Sequence, residues 1–242
     1  MQTQLSFYDL NIEPYEKTLD NIIKFPVKES VKTSEIQKSF ELKPKPQAAD
    51  SVKTLEEIEK IKKYFLDKRE YRNYCLFIIG ITTGYRISDL LSLKFTDIFE
   101  DYETWKREID IIEQKTKKRR VMPICENIKT AINLYIKNKG GFLLDEYLFR
   151  SRKGKNSPID KSSARKIFNS MAVDLNLPYH CSTHFLRKTF AYWFLRVHKN
   201  DMSALATLQD ILNHSSEKMT LKYCGIEKER KETMLKSLAQ LW

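Results

Sequence analysis

Glycine is scarce, with six in 242 residues, and none falls in GxGxxG or GxxxxGK[ST], the patterns whose backbone N–H groups cradle nucleotide phosphates. A nucleotide-driven reaction is therefore not expected. The four cysteines, Cys75, Cys125, Cys181 and Cys224, lie far apart with no CxxC pair, the usage of reduced thiols rather than of a disulfide scaffold. His180, Cys181 and His184 can be drawn around a metal, but no fourth ligand stands at a zinc-site spacing, so neither metal nor cofactor is expected. No apolar run approaches the roughly 20 residues that cross a bilayer, and Met1 to Leu10 lacks the basic-then-apolar order of a signal peptide. The chain reads as cytoplasmic and without membrane contact.

Positive charge is what the sequence has in excess. Lysine and arginine total 43 against 32 acids, a net +11, while hydrophobic residues make 41% and aromatics 12%, enough to build a core. The excess is unevenly placed. Residues 1–50 hold seven lysines, no arginine and eight acids, so that removing their −1 from the total leaves +12 on residues 51–242. Such a surface favours a polyanionic partner. The polar stretch from Glu29 to Ser51, with Lys43-Pro44-Lys45-Pro46, reads as an extended linker. The expected organisation is an N-terminal arm and linker over 1–52 and one folded domain over 53–242.

Periodicity gives the class as mainly α with a small antiparallel β-sheet, an α+β fold. Thr54 and Glu57 have the spacing of a capping box, ahead of Leu55, Ile58, Ile61 and Phe65 on one helical face. Tyr74 to Ile81 is apolar all round, as in a buried central helix, and Thr83-Gly84 ends it. From Glu108 to Ile124, β-branched residues and Pro123 flank the polar run Gln114–Lys118, which predicts a hairpin. Helical stripes recur over Ile128–Ile136, Ala164–Leu175, Leu186–Val197 and Leu205–Leu212. A last one comprises Met234, Leu235, Leu238, Leu241 and Trp242.

Three segments combine cations with candidate nucleophiles: Thr83-Gly84-Tyr85-Arg86-Ile87-Ser88-Asp89-Leu90, then His184-Phe185-Leu186-Arg187-Lys188, then Leu212-Asn213-His214 with Tyr223 nine residues later. A fourth, Glu113-Gln114-Lys115-Thr116, sits at the hairpin turn. In this order and spacing they resemble the tyrosine recombinases, the phage-integrase and Xer-like enzymes, over about residues 53–242. The resemblance implies a site-specific DNA recombinase of the family's catalytic-domain fold, in a short form without a full core-binding domain. It would cleave and rejoin strands of double-stranded DNA through a 3′-phosphotyrosine, in integration, excision or inversion.

The chemistry suits those residue types. Metal-free phosphodiester cleavage needs charge neutralised on the non-bridging oxygens, and the forked guanidinium groups of Arg86 and Arg187 do that. Asp89, three residues after Arg86, offers it an ion pair. His184 and Arg187 share a helical face at an N-terminus, where anions are favoured. By the resemblance His214 donates to the same phosphate, His184 assists as proton acceptor, Lys115 protonates the leaving 5′ oxygen and Tyr223 is the nucleophile. Lys117, Lys118, Arg119 and Arg120 crowd the Lys115 turn, and a solvated run touching the DNA backbone is the other reading of all five.

Some positions depart from the family pattern. Asn213 stands where glycine is usual, though asparagine tolerates the same left-handed backbone, and Phe185 and Lys188 replace an acid and a histidine. Type IB topoisomerase activity and a non-catalytic DNA-binding regulator are the alternatives. Strand exchange implies a homotetramer on DNA assembled from a free monomer; the resemblance implies that the terminal helix docks on a neighbouring subunit, and the short form that an accessory DNA-binding protein assists site choice.

Overall fold

The computed structural model describes residues 51–178 and 181–240. Its elements run α1 (Leu55–Asp67), α2 (Tyr71–Thr83), α3 (Ile87–Ser92), β1 (Glu108–Ile112), β2 (Arg119–Pro123), α4 (Glu126–Lys139), α5 (Lys161–Asp174), α6 (Phe185–Val197), α7 (Ala204–Ile211), α8 (Glu217–Cys224) and α9 (Ile226–Ala239). The class is the expected one, mostly helical with one two-stranded antiparallel sheet.

α2 is the centre. Its Cys75, Leu76, Phe77 and Ile79 are fully buried, and α1, α4 and α6 pack around it. Two glycines one turn apart set its approach to α6. A Cβ on Gly80 would lie 2.6 Å from Leu186 Cδ1, and one on Gly84 would lie 2.3 Å from Phe190 Cδ1. Leu186 and Phe190 are likewise one turn apart on α6, so two large residues seat on two positions that lack a side chain. Phe65, Phe77, Phe168 and Phe185 complete this core in edge and stacked contacts.

The capping expectation holds at Thr54, whose hydroxyl oxygen accepts from the Glu57 N–H at 3.1 Å. Ile61 and Phe65 are buried as their spacing predicts, but Leu55, in the first turn of α1, is exposed. Val52 lies in the part of the sequence that composition assigns to the arm. It is nonetheless fully buried, its N–H donating to Thr189 Oγ1 at 2.9 Å and its carbonyl accepting from Trp193 Nε1 at 3.0 Å.

The hairpin forms where alternation predicts it, with Ile109 opposite Met122 and Ile111 opposite Arg120. A smaller apolar cluster of Phe190, Ala191, Leu208, Leu212 and Cys224 joins α6, α7 and α8, and Tyr223 packs against it. On α9, Leu235 and Leu238 are 65% and 50% exposed. Leu241 and Trp242 of the predicted stripe, like His180, lie outside the described residues.

Candidate active site

The site starts at the end of α2. Gly84 has φ +60° and caps the helix, leaving the last carbonyls facing outward, where a helix C-terminus favours cations. Two arginines take them. Arg120 donates from Nη2 to Thr83 O at 2.5 Å and from Nη1 to Gly84 O at 3.2 Å, and its guanidinium lies 4.7 Å over the Tyr85 ring. Arg187 donates from Nη1 to Gly84 O at 2.8 Å and from Nη2 to Leu212 O at 2.6 Å. The close packing of α2 on α6 brings Arg187, the residue after Leu186, to that carbonyl. Burial, with Arg120 nearby, lowers its pKa to about 10, so it stays cationic at neutral pH. The extended Tyr85–Arg86 turn then places Arg86 at the N-cap of α3.

Glu113, at the end of β1, sits fully buried among these cations. Its Oε2 is 2.5 Å from Arg86 Nη1, accepts from Thr116 Oγ1 at 2.5 Å and from Asn213 Nδ2 at 3.1 Å. Its Oε1 is 3.5 Å from Arg120 Nη1 and 3.7 Å from Arg187 Nη1. Burial alone would raise this carboxyl, but the Thr116 hydroxyl and the Arg86 and Arg187 guanidinium groups outweigh it and hold it below the usual range.

Two sequence expectations are corrected here. Arg86 pairs with Glu113, not with Asp89. Asp89 is buried and instead accepts from the Gln114 N–H at 3.0 Å, which ties α3 to the hairpin turn. Nor is the basic run at the turn uniformly solvated. Strand alternation turns Arg119 outward, onto Asp110 at 2.7 Å, and Arg120 inward to 5% exposure. Glu113 and Arg120 are thus site residues that the motif reading passes over, although the period of two in β2 marks Arg120 as inward-facing.

Lys115 is exposed on the turn, on the side of His184. His184 occupies the N-cap of α6, and its pKa is lowered by burial and by Arg187, Lys188, Lys115 and Arg86 together. Asn213 adopts φ +51°, so it does keep the left-handed backbone usual for glycine, and it adds the bond to Glu113.

His214 follows. Its Nδ1 lies 3.0 Å from Thr220 Oγ1, its ring stands against Tyr223, and burial with Arg187 and Arg86 lowers its pKa to about 4. Tyr223 Oη is buried and has no hydrogen-bond partner among the described residues. Burial pushes the phenol up to about 12, with Arg187 and Arg86 pulling the other way. Lys188 Nζ lies 5.7 Å over its ring. Arg86, His184, Arg187, His214 and Tyr223 therefore gather at one end of α2, with Lys115 on the turn beside them. A separate concavity of 690 Å³ at the other end of α2, lined by Lys68, Arg72 and Arg150 among others, shares no residue with this cluster.

A mostly helical domain with one hairpin and a buried phenol beside paired arginines has the fold of the tyrosine recombinase catalytic domain. The XerA recombinase crystal structure superposes with a TM-score of 0.57 at 21% identity, over 76% of this chain and 62% of that one. The Tn1549 transposon integrase in complex with circular intermediate DNA gives 0.57 at 25% identity, over 78% and 68%. The phage integrase family pattern matches residues 51–230, and the chain belongs to that family. A probable integrase/recombinase of Bacillus subtilis, YoeC, is 38% identical over 178 residues, 74% of this chain and 90% of that protein. Tyrosine recombinase XerC of Bacillus licheniformis is 27% identical over 65% of this chain, which spans only 50% of XerC's length. The chain is a tyrosine recombinase in sequence and fold. Among the described residues no helix is long and apolar enough to cross a membrane.

Proposed function

We propose that this domain breaks and rejoins double-stranded DNA at specific sites, with Tyr223 attacking the scissile phosphorus and holding the DNA as a 3′-phosphotyrosine. The observation that carries the reading is the Tyr223 hydroxyl, buried with no partner beside Arg187 and Arg86. Burying an unpaired hydroxyl costs stability, and an incoming phosphate is the acceptor that would offset the cost. Arg86 and Arg187 neutralise the non-bridging oxygens. His214, neutral at physiological pH, donates from Nε2–H once the Thr220 hydroxyl turns from the Ser216 carbonyl, 3.3 Å away, to donate to its Nδ1 at 3.0 Å. His184 takes the phenolic proton and Lys115 supplies one to the leaving 5′ oxygen. The phosphodiester energy is kept in the phosphotyrosine, and the 5′ hydroxyl of a partner strand attacks it to reseal.

Of residues 1–52, those before Ser51 act in this reading as an arm, since Val52 is part of the fold. Four protomers assemble on two DNA sites in the cytoplasm, from a free monomer and with an accessory DNA-binding protein. The exposed Leu235 and Leu238 of α9 supply the contact to the next protomer.

A pool of nicked suicide duplexes that includes any inverted repeats found flanking the gene tests the chemistry. After incubation, covalent complexes are recovered under denaturing conditions and the linked peptide is sequenced by mass spectrometry. A 3′-nucleotide on Tyr223 is expected. No adduct, or an adduct on another residue, overturns the reading.

A further inference from the structure

We propose that Glu113 is a positioning residue for the cleavage reaction, one buried carboxylate that sets Arg86 and Arg187 for the scissile phosphate before DNA arrives. The inference rests on the reading of those two arginines as the phosphate-binding pair. Its ground is the way five separate parts of the fold converge on one anion: the N-terminus of α3 through Arg86, the hairpin turn through Thr116, β2 through Arg120, α6 through Arg187 and the loop before α8 through Asn213.

The distances show which partner matters most. Arg120 already donates to Thr83 O and Gly84 O and rests on Tyr85, and Glu113 stands 3.5 Å from it. The 2.5 Å contact goes to Arg86, whose side chain keeps 16% exposure while those of Arg120 and Arg187 keep 4% each. The carboxylate therefore lies nearest, as an ion pair outside hydrogen-bond geometry, to the arginine whose side chain is the most exposed of the three. Without it, three guanidinium groups would lose the carboxylate they share at a buried site, and Arg86, the most exposed of them, would turn toward solvent. Glu113 also tethers the neighbours of two further groups, since Thr116 follows Lys115 and Asn213 precedes His214. A glycine at 213 would keep the backbone but lose its tether.

Glu113→Gln removes the charge and keeps the shape. Single-turnover cleavage is measured on a nicked suicide duplex and on the same duplex with a methylphosphonate at the scissile position. There a methyl group replaces one non-bridging oxygen, and the charge that the arginines neutralise is absent. On the phosphodiester, Glu113→Gln is expected to cut about 100-fold more slowly than wild type, with unchanged DNA affinity. On the methylphosphonate the gap should close to about 10-fold or less. Cleavage at the wild-type rate overturns the proposal, and so does an equal loss on both substrates, which would mark a general structural role. If Glu113→Gln does not fold, Asn213→Gly stands in for it. It removes one tether and is expected to lose about 10-fold, again mainly on the phosphodiester; no loss, or a loss equal on both duplexes, overturns the proposal. Wild type and Tyr223→Phe run alongside. Absence of adduct from wild type overturns the recombinase reading itself, whereas full activity of Glu113→Gln overturns only the role of Glu113.

Discussion

The His214 ring stands edge-on to the ring of Tyr223, with centroids 5.2 Å apart and planes at 73°. With Lys188 over the same ring, the phenol is located by contacts to its carbons, while its oxygen, beside Arg187, meets hydrogen-bond geometry with none of the described residues. Position and reactivity of the nucleophile are thereby separated.

That separation predicts the behaviour of Tyr223→Phe. The variant should form no covalent adduct yet be as stable as wild type, or more stable by up to about 1 kcal/mol, because it deletes a buried hydroxyl that has no partner. Thermal unfolding without DNA checks it. A melting temperature lowered by several degrees would mean that the hydroxyl is held after all.

The depressed pKa of His214 gives a pH dependence of stability. The unfolded chain takes up this proton near pH 6.5, whereas the folded protein does so only near 4. Between those values the unfolded state binds more protons, so stability falls as pH drops from about 6.5 to about 4 and the term is constant below. His184 is shifted the same way and adds to the slope. His214→Gln should flatten this limb by on the order of 1–2 kcal/mol, allowing for screening by solvent. Urea midpoints at pH 7 and pH 4.5 for both proteins measure it; equal slopes would contradict a depressed His214.

Gly84 and Gly140 both adopt positive φ, at +60° and +86°, but only Gly84 faces a neighbour. Gly140→Ala should cost only the backbone strain, about 1 kcal/mol. Gly84→Ala adds the collision with Phe190 and should cost more than about 3 kcal/mol in total, displacing the carbonyl that Arg120 and Arg187 share. Denaturant melts of the two variants should separate clearly; similar values would mean that α6 can retreat freely.

Arg120 and Lys118 are two residues apart and should fail in different ways. Arg120→Met leaves the Thr83 carbonyl without its donor and the Gly84 carbonyl with Arg187 alone, and should lose about 3 kcal/mol of stability. Lys118→Ala, at an exposed position, should leave stability unchanged and reduce the salt dependence of DNA binding, by up to about 1 in the log–log slope if it meets a phosphate. The reverse pattern would return Arg120 to the solvated run.

The helix end at Thr83-Gly84, the hairpin and the stripe of α6 are legible in the sequence because each rests on a local signal: a left-handed cap, a period of two, a period near four. α8 is not read, although Ser216 caps it by accepting from the Met219 N–H at 3.3 Å, because the face it buries carries Thr220 and Cys224 rather than a row of large apolar residues. The motifs bring the candidate site together by residue type, but they do not say which acid meets which cation. Asp89 is the nearer carboxylate in sequence and Glu113 the nearer in space, and only the packing of the hairpin against α3 and α6 decides between them. Val52 escapes composition for the same reason, since its partners Thr189 and Trp193 lie 137 and 141 residues away.

The two arginines that meet at Gly84 O come from positions 36 and 103 residues further along the chain, and Tyr223 enters later still. A growing polypeptide leaves the ribosome from its N-terminal side, so α2 and its open carbonyls emerge long before Arg187 and well before the phenol. Until α6 has docked and α8 has followed, the polypeptide holds scattered cations but no pocket able to break a strand. On the proposed mechanism, unfinished or partly unfolded chains would stick to DNA without nicking it.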